Sequence, residues 1–352
     1  MAFWKEDWAE AKDRFRAFWA RKGLALHVTA PKDEPWEEVP PPTPPLSVEE
    51  RWLDPAYRVA EAVHWMSRTF FGGIAFPFFD TQIGPGSLGT FLGSEPGFAP
   101  DTVWYHPLGL APEQWPALSF DASSVWFRRH MAVIEAGLKV ANGRFLVGIP
   151  DLIENIDTLA QLRDSQTLMM DLFERPDWVK SKVFEINRAF FAAFDAMAAR
   201  VRDEDGGNAF AAFGIWGPGK TAKLQCDASA MFSPAMFQEF VVPALTEQAE
   251  WLDYSLYHLD GTQCICHLDH LLAIDALDAI EWTPQAGIEG GGHPRWYDLY
   301  RRIKAGGKCV QAIGVQYDEV LPLIEAVGPE GLYVMATAPT EQAARKLLDA
   351  AS

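Results

Sequence analysis

The sequence has little cysteine, no long hydrophobic run and no cluster of basic residues. Its four cysteines lie between residues 226 and 309 of a 352-residue chain, too few and too late to hold a fold of this size together by disulfides. No apolar run approaches the length of about 18 residues that a membrane-spanning helix needs. The formal net charge of −18 argues against binding to nucleic acid or to an anionic membrane, because phosphate groups would be repelled. These absences predict a soluble protein of a reducing, cytoplasmic compartment.

Apolar and aromatic residues, by contrast, are abundant. Hydrophobic residues make up 49% of the chain and 14 residues are Trp, which is enough for one large core. Residues 1–23 alternate charged and aromatic side chains at helical spacing and do not have the unbroken apolar stretch of a signal peptide. We therefore expect an N-terminal helix at 1–23, within a single domain that spans residues 1–352.

Eight short apolar runs alternate with amphipathic stretches along the chain. Nearly continuous apolar strands that alternate with helices are typical of a parallel sheet covered by helices, and eight such units predict an α/β fold, a closed (β/α)8 TIM barrel. The predicted strands cover residues 24–31, 73–80, 144–150, 209–216, 253–260, 277–284, 308–315 and 331–338. The predicted helices cover residues 55–70, 124–142, 176–202, 234–251, 294–305, 317–327 and 340–350.

Two segments fall outside this repeat. The proline-rich stretch at 34–45 is predicted to cross the surface as an extended chain. Residues 81–118 are rich in Gly, Pro and aromatics and are too many for a plain loop. We expect them to form a long loop or lid over the barrel mouth after the second strand.

Polar, aromatic or turn-forming residues stand at or just past the C-terminal end of seven predicted strands. Barrels of this type assemble the active site at that end from several strands, so we expect a shared mouth rather than ordinary loop-entry residues. These residues are Asp80, Asp151, Trp216, His258 with Asp260, Glu281 with Trp282, Gln316 and Thr337.

The densest polar segment is YHLDGTQCICHLDH at 257–270. His258 and Asp260 are two residues apart on a predicted strand, so both side chains point to one face. Such a pair can ligate a divalent metal, or can act as an acid/base dyad in which the carboxylate orients the imidazole. Cys264 and Cys266 are weaker metal candidates, and local packing is the alternative for them.

Three further carboxylates are candidates. Glu281 can complete a His/Asp/Glu metal site or act as a general base, and pairing with an Arg such as Arg295 is the alternative. Asp80 ends the apolar run FPFFD, so it either meets substrate at the mouth or needs a buried donor. Asp227 follows the glycine-rich turn WGPGK, which is not expected to bind phosphate.

These residues, in this order, resemble the uroporphyrinogen decarboxylase superfamily, which includes corrinoid methyltransferases and has distant cousins in cobalamin-independent methionine synthase. The resemblance covers most of the chain. It rests on DTQIGPGSLG at 80–89, Gly-Ile-Pro at 148–150, Asp227 with MFSPAMFQEFVVPAL, and YHLDG at 257–261. The last segment is similar to the family's His-x-Cys-Gly, with Asp260 in place of Cys. The resemblance implies a TIM barrel and a zinc site at its mouth on His258 and Asp260, with Glu281 matching a ligand of the methionine synthase cousins.

Departures from the family pattern narrow the function. Residues 25–40 contain no Arg-rich signature to hold carboxylates, and the Tyr expected after Gly-x-Pro is missing, so porphyrinogen decarboxylation is not expected. The late Cys that completes the zinc site of the methyltransferase branch is replaced by Ala336 or Thr337. The remaining His/Asp/Glu set is harder than a thiolate set, so it should bind zinc less tightly or prefer another divalent ion.

Three functions remain open from the sequence. The first is metal-assisted methyl transfer between a small methylated substrate and a corrinoid on a partner protein, with the metal on His258, Asp260 and Glu281. The second is a lyase or decarboxylase acting on a small carboxylate, with Asp80 and His258 as acid/base groups. The third is a barrel that binds a ligand without catalysis. Asp227 and Asp260 join Asp80 and His258 as catalytic candidates, and whether the chain forms a homodimer stays open.

Aromatic residues near the predicted mouth are candidates for substrate binding. A flat or apolar-faced ligand would stack on them, and plugging the top of the barrel is the alternative role. The aromatic candidates are Trp104, Trp216, Trp282 and Trp296. Asp151 and Gln316, which are polar residues at predicted strand ends, complete the set of candidate substrate-binding residues. Most other tryptophans are expected to pack helices onto the barrel.

Overall fold

The computed structural model describes residues 2–351 and shows a mixed α/β architecture. The strands are β1 (Ala25–Pro31), β2 (Thr69–Gly73), β3 (Phe78–Phe79), β4 (Glu95–Phe98), β5 (Val103–His106), β6 (Leu146–Val147), β7 (Asn208–Phe210), β8 (Ile215–Gly217), β9 (Thr221–Gln225), β10 (Tyr254–Asp260), β11 (Ala279–Thr283), β12 (Cys309–Val315) and β13 (Leu332–Thr337). The helices are α1 (Trp8–Trp19), α2 (Val48–Leu53), α3 (Pro55–Ser67), α4 (Ser87–Phe91), α5 (Val125–Ala141), α6 (Asn155–Arg163), α7 (Ser165–Glu174), α8 (Pro176–Val201), α9 (Pro234–Phe240), α10 (Val242–Trp251), α11 (Gly261–Cys264), α12 (Leu268–Leu272), α13 (Tyr297–Ala305), α14 (Val320–Val327) and α15 (Glu341–Ala350).

A seven-stranded, mostly parallel sheet forms the centre of the molecule. Its strand order is β2-β1-β13-β12-β11-β10-β9, and only β2 runs antiparallel, against β1. The last strand of the chain therefore lies beside the first, and β9 to β13 follow one another in chain order. Parallel neighbours joined by helices are the repeating unit of a TIM barrel. Closure of the barrel through β3, β6 and β7 stays a prediction.

Shorter pairings continue the parallel arrangement outside this sheet. Strand β3 pairs with β6 in parallel, and Ile149 forms a parallel bridge with Phe210. Asn208 on β7 exchanges side-chain hydrogen bonds with the backbone N–H and C=O of Thr221, which ties β7 to the edge strand β9.

Five of the eight predicted strands are confirmed within two residues at each end, namely β1 and β10 to β13. The predicted strand at 209–216 is instead split into the antiparallel pair β7 and β8. The chain turns between them because Phe213 and Gly214 adopt positive φ angles of 61° and 59°. Strand β9, which the sequence reading missed, takes the place beside β10.

The predicted helices are also largely confirmed, and their starts show why. Ser47, Asp54, Ser233 and Thr340 each accept a hydrogen bond from a backbone N–H of the first turn, and Pro55 and Pro234 occupy the first helical position. The stretch predicted at 234–251 is divided into α9 and α10, and α6 with α7 was not predicted. Within residues 2–351, every helix is too short or too polar to span a bilayer.

The segments outside the repeat have structure of their own. The predicted N-terminal helix is α1, and it packs on the molecule through the buried Phe15, Phe18 and Trp19. The predicted lid at 81–118 contains α4 and the antiparallel hairpin of β4 and β5. It is fastened to α6 by hydrogen bonds from Leu108 N to Leu162 O and from the Arg163 guanidinium to Leu110 O.

Candidate functional site

Strands β10 and β11 place His258 beside Glu281. The two strands pair in parallel with His258 opposite Glu281, so both side chains lie on the same face of the sheet. The distance from His258 Nδ1 to Glu281 Oε2 is 2.5 Å, and the Thr283 hydroxyl donates to Glu281 Oε1 at 2.8 Å. Glu281 is fully buried, and it contacts the imidazole ring at Nδ1, which leaves Nε2 on the other side of the ring. Its carboxylate does not contact Arg295, which pairs with Glu289.

Asp227 joins His258 and Asp260 to form a three-residue cluster, here called the carboxylate–histidine cluster. One potential ligand atom of each residue lies within 4.8 Å of the others. His258 Nε2 lies 3.9 Å from Asp227 Oδ1, on the side of the ring opposite Glu281. Asp227 begins the short 3-10 helix Asp227–Met231 that follows β9. The sequence reading named all three residues but grouped His258 and Asp260 with Glu281 as the metal set.

Charges around the cluster change its acid–base behaviour. Burial disfavours the imidazolium of His258, but its hydrogen bond to Glu281 and the charge of Glu281 prevail, so the pKa of His258 is raised. Burial, and then the charge of Asp157, raise the pKa of Asp227 to about 6. Burial raises the pKa of Glu281 as well, against the opposing effect of His258. Asp227 therefore has a proton affinity close to that of a general acid or base working near neutral pH.

A second layer of side chains fixes Asp227. The Asp157 carboxylate accepts hydrogen bonds from the backbone N–H groups of Asp227 and Ala228 at 2.8 and 2.9 Å. Gln225 Nε2 donates both to Asp157 Oδ2 and to Asp227 Oδ2, at 2.8 and 2.9 Å. Asp157 and Gln225 were missed from the sequence, because Asp157 lies on an unpredicted helix and Gln225 on an unpredicted strand.

A buried charged group lies next to this layer. Lys223 of β9 forms a 2.7 Å ion pair with Asp151, which the sequence reading named as a substrate-binding residue. Glu154 accepts a hydrogen bond from Gln225 N at 2.8 Å, while its Oε2 has no partner within residues 2–351. Burial raises the pKa of Glu154 to about 8. The charge of Asp151 is thus balanced by Lys223. The sequence signal for this buried ion pair was a lysine inside the otherwise uncharged run TAKLQ at 221–225.

Asp80 lies outside the carboxylate–histidine cluster. Its pKa is affected by the charge of Asp151, the partner of Lys223. Its Oδ1 accepts a hydrogen bond from Gln82 N at 2.8 Å, and the Arg58 guanidinium donates to the backbone carbonyls of Asp80 and Thr81. Asp80 as a whole residue is exposed. The surrounding protein nevertheless raises its pKa by desolvation, and the charge of Asp151 acts in the same direction.

Three of the four candidate tryptophans, Trp216, Trp282 and Trp296, are buried and packed against other side chains. Trp216 is fully buried against Trp8 and Phe15, and its Nε1 donates to Asp203 at 2.7 Å. Trp282 points to the face of β11 opposite Glu281, because successive residues of a strand alternate, and it packs on Trp296 at 4.9 Å between ring centres.

Trp104 is different, because 67% of it is exposed. It lies on β5, in the hairpin of the predicted lid.

Two cavities flank the candidate site. One of about 470 Å³ is lined by Gln316, Met335, Ala336 and Thr337, and by His27 on the neighbouring strand. Phe213 also lines it, and its ring centre lies 4.9 Å from that of His258. A second cavity of about 560 Å³ brings Trp104 together with Asp227.

The donor set of the carboxylate–histidine cluster fits a divalent cation. It offers two carboxylates and one imidazole, which suit zinc or a harder divalent ion. Glu281 supplies the carboxylate partner that metal-bound histidines usually have on the second ring nitrogen. Cys264 belongs to a different environment, where its Sγ lies 3.6 Å from the Ser229 hydroxyl.

The glycine-rich turn before Asp227 has the spacing of a phosphate loop, since Gly214–Thr221 reads G-x-x-x-x-G-K-T. In the structure, however, strand β9 follows this turn, whereas a phosphate loop opens a helix. Lys220 instead pairs with Asp195 at 3.0 Å and lies over the ring of Trp251. The turn is therefore part of the sheet edge.

Comparison with known proteins adds a structural likeness. No protein-family model matches the chain, and no curated protein matches it. Among solved structures, the chain is similar to a methyltransferase from Methanosarcina mazei, with a TM-score of 0.63 and 13% sequence identity over 97% of each chain. At this identity the likeness concerns the fold, which extends over nearly the whole length of both proteins.

Proposed function

We propose that the protein is a methyltransferase of the uroporphyrinogen decarboxylase type, with its active site at the carboxylate–histidine cluster at the mouth of a closed barrel. The observation that carries the proposal is the convergence of Asp227, His258 and Asp260 within 4.8 Å, with Glu281 holding the far side of the imidazole. The fold-level likeness to a methyltransferase supports the same class.

His258 Nε2 and oxygens of Asp227 and Asp260 would hold a divalent metal ion. Such an ion supplies Lewis acidity, which withdraws electrons from the heteroatom that carries a methyl group or lowers the pKa of a methyl-accepting group. Glu281 keeps Nδ1 protonated, so that Nε2 carries the lone pair that ligation requires. Gln225 and Asp157 keep the Asp227 carboxylate in place through the hydrogen bonds described above.

The second substrate in this proposal is a corrinoid carried by a partner protein. The candidate site opens toward solvent, since Asp227 is exposed while Glu281 behind it is fully buried. A site with one open side can meet a cofactor presented by another protein. The expectation of a corrinoid partner comes from the sequence resemblance.

A lyase acting on a small carboxylate is the second candidate, and the environment of Asp80 favours it. The raised pKa of Asp80 increases the fraction that carries a proton, as an acid that protonates a carbanion must. In this case His258 with Glu281 would act as the proton-transfer dyad. The methyltransferase remains the preferred proposal because the three clustered groups have the donor set of a metal site.

Metal content and methyl transfer together test the proposal. The purified protein should contain about one divalent metal ion per chain by elemental analysis, and His258→Ala and Asp260→Asn should lose it. A matched control is Asp269→Asn, which changes an exposed carboxylate paired with Arg302. With reduced cobalamin and a panel of methylated donors, only the parent and the control should transfer a methyl group. A metal-free parent that transfers no methyl group would reject the proposal and leave the lyase.

A further inference from the structure

The cavity of about 470 Å³ between His27 and Phe213 is here called the uncharged cavity, because its lining within residues 2–351 contains no Asp, Glu, Lys or Arg. Its apolar walls include the Phe213 ring and the Met335 thioether. The hydroxyl oxygens of Thr29 and Thr337, which also line it, lie 3.3 Å apart and can satisfy each other. A charged ligand would find no counter-charge here, whereas an uncharged ligand with an apolar face fits the walls.

The hydrogen bonds of Tyr333 fix which nitrogen of His27 carries a proton. The Tyr333 hydroxyl donates its single hydrogen to Gly214 O at 2.8 Å, because a carbonyl oxygen can only accept. The same hydroxyl oxygen lies 3.3 Å from His27 Nδ1, so it accepts a hydrogen bond from Nδ1–H. Burial, and then the charge of Lys5, lower the pKa of His27 to about 3, so the ring is neutral. Nε2 therefore carries a lone pair.

The lone pair of His27 Nε2 has no hydrogen-bond donor within residues 2–351, where Tyr333 is the partner of the ring. His27 is only 8% exposed, yet Nε2 is not enclosed by protein, because the ring lines the uncharged cavity. An acceptor in such a place costs free energy when no donor meets it. His27 Nε2 thus offers a hydrogen-bond acceptor to an O–H group of a bound molecule.

The ring of Phe213 connects the uncharged cavity to the candidate site, since it lines the cavity and its centre lies 4.9 Å from that of the His258 ring. The backbone of Phe213 has a φ angle of 61°, which bulky residues rarely adopt and which persists only where the surroundings hold it. Here the Gln311 amide donates to Phe213 O at 2.9 Å, and the Tyr333 hydroxyl holds the next carbonyl. Side chains of β12 and β13 therefore keep an apolar ring beside both spaces.

We propose that the uncharged cavity binds an uncharged, apolar-faced substrate whose hydroxyl group donates a hydrogen bond to His27 Nε2. This inference rests on the proposed methyl transfer and names the chemistry of its small substrate. An uncharged oxygen or sulfur atom that carries the methyl group keeps a lone pair, which a metal ion at the carboxylate–histidine cluster can bind. His27 is a substrate-binding residue in this scheme, and its hydrogen bond leaves all three groups of that cluster free for the metal.

Other ligand classes fit the uncharged cavity less well. A carboxylate would bring lone pairs toward the lone pair of His27 Nε2 and would find no cation in the lining. An ammonium group would find no carboxylate there. A hydrocarbon would fit the apolar walls but would leave Nε2 without a donor.

Calorimetry with phenol, toluene and benzoate on the full-length protein tests the inference. Phenol and toluene have nearly the same shape, but only phenol donates a hydrogen bond. In His27→Phe, which keeps a ring and removes the acceptor, the ratio of phenol affinity to toluene affinity should fall about tenfold, the contribution of one net hydrogen bond. In the parent, benzoate should bind at least about tenfold more weakly than phenol because its charge has no partner.

The matched control is His64→Phe. His64 lines a neighbouring cavity and is bonded through Nδ1 to Val39 O, so this variant should keep the parent ratio of affinities. A second measurement needs no variant. In the parent labelled with ¹⁵N at histidine, phenol should move the Nε2 resonance of His27 to lower frequency, as acceptance of a hydrogen bond does, and toluene should not.

Each outcome has a defined meaning. An unchanged affinity ratio in His27→Phe, an equal fall in His64→Phe, or tighter binding of benzoate than of phenol would overturn the inference. Absence of phenol binding, or a His27 Nε2 resonance that phenol does not move, would overturn it as well. Neither measurement needs a metal or a corrinoid, so phenol bound to His27 in a protein that transfers no methyl group would reject the proposed function alone. Methyl transfer without phenol binding would keep the function and reject the role of His27.

Discussion

Replacing the buried carboxyl of Glu154 by an amide, Glu154→Gln, should stabilise the protein at neutral and alkaline pH. Glu154 is fully buried, and one of its oxygens has no hydrogen-bond partner within the described chain. Burial raises its pKa from an ordinary 4.5 to about 8, although the Lys223 charge acts in the opposite direction. The folded protein therefore keeps a proton on Glu154 that the unfolded chain releases.

The size of the effect follows from the two pKa values. A carboxyl whose pKa is raised by folding contributes stability that is fully present below the unfolded pKa and is lost as the pH rises through the folded pKa. The window here runs from pH 4.5 to about 8. At about 1.4 kcal/mol per pH unit, the parent has lost about 3 kcal/mol by pH 7. An amide cannot ionise, so Glu154→Gln avoids this loss, and Lys223 keeps its partner Asp151.

Urea unfolding of the parent and of Glu154→Gln at several pH values between 5.5 and 7.5 is the assay. The difference in free energy of unfolding should widen in favour of the variant by about 1.4 kcal/mol per pH unit. The control Glu113→Gln removes an exposed carboxylate and corrects for the change in net charge. A constant difference across this range would refute the reasoning, because Glu154 would then ionise alike in the folded and unfolded states.

Three further outcomes can be measured directly. Glu281→Gln should lower the affinity for a divalent metal by about 10- to 100-fold in a metal titration, because the amide no longer orients His258 as a carboxylate does; unchanged affinity would count against that role. Trp216→Ala should cost about 3–5 kcal/mol of unfolding free energy in urea, whereas a ligand-contacting surface residue would cost little. His27 should stay neutral from pH 5 to 8 in nitrogen-correlated NMR, since burial and then the Lys5 charge lower its pKa to about 3; a titration near pH 6.5 would contradict this.

Much of the sheet was predictable because its strands are long, apolar and bounded by turn residues. Strands β10 to β13 and β1 meet these conditions and were placed within two residues at each end. Strand β9 does not, because Lys223 interrupts its apolar pattern and becomes acceptable only once Asp151 lies beside it. The split at 209–216 depends on the left-handed backbone of Phe213, which its residue type does not favour.

The residues of the candidate site were predictable from the sequence, but which of them lie next to His258 was less so. His258 and Asp260 share a face because side chains alternate along a strand, which is a property of two neighbouring positions. That Glu281 lies behind His258 depends on the register between β10 and β11, and that Asp227 lies in front depends on where β9 ends. Such relations join residues more than 20 positions apart.

The sequence by itself determined the alternation of strands and helices, the acidic character of the chain and the pairing of His258 with Asp260 on one strand face. All of these follow from composition or from short-range periodicity. Only the tertiary structure decided which carboxylates surround His258, which tryptophans are buried, and that Lys223 and Asp151 form a buried ion pair next to Glu154. The reason is physical: burial and charge pairing depend on the distances between elements, and those distances are set by packing and strand register.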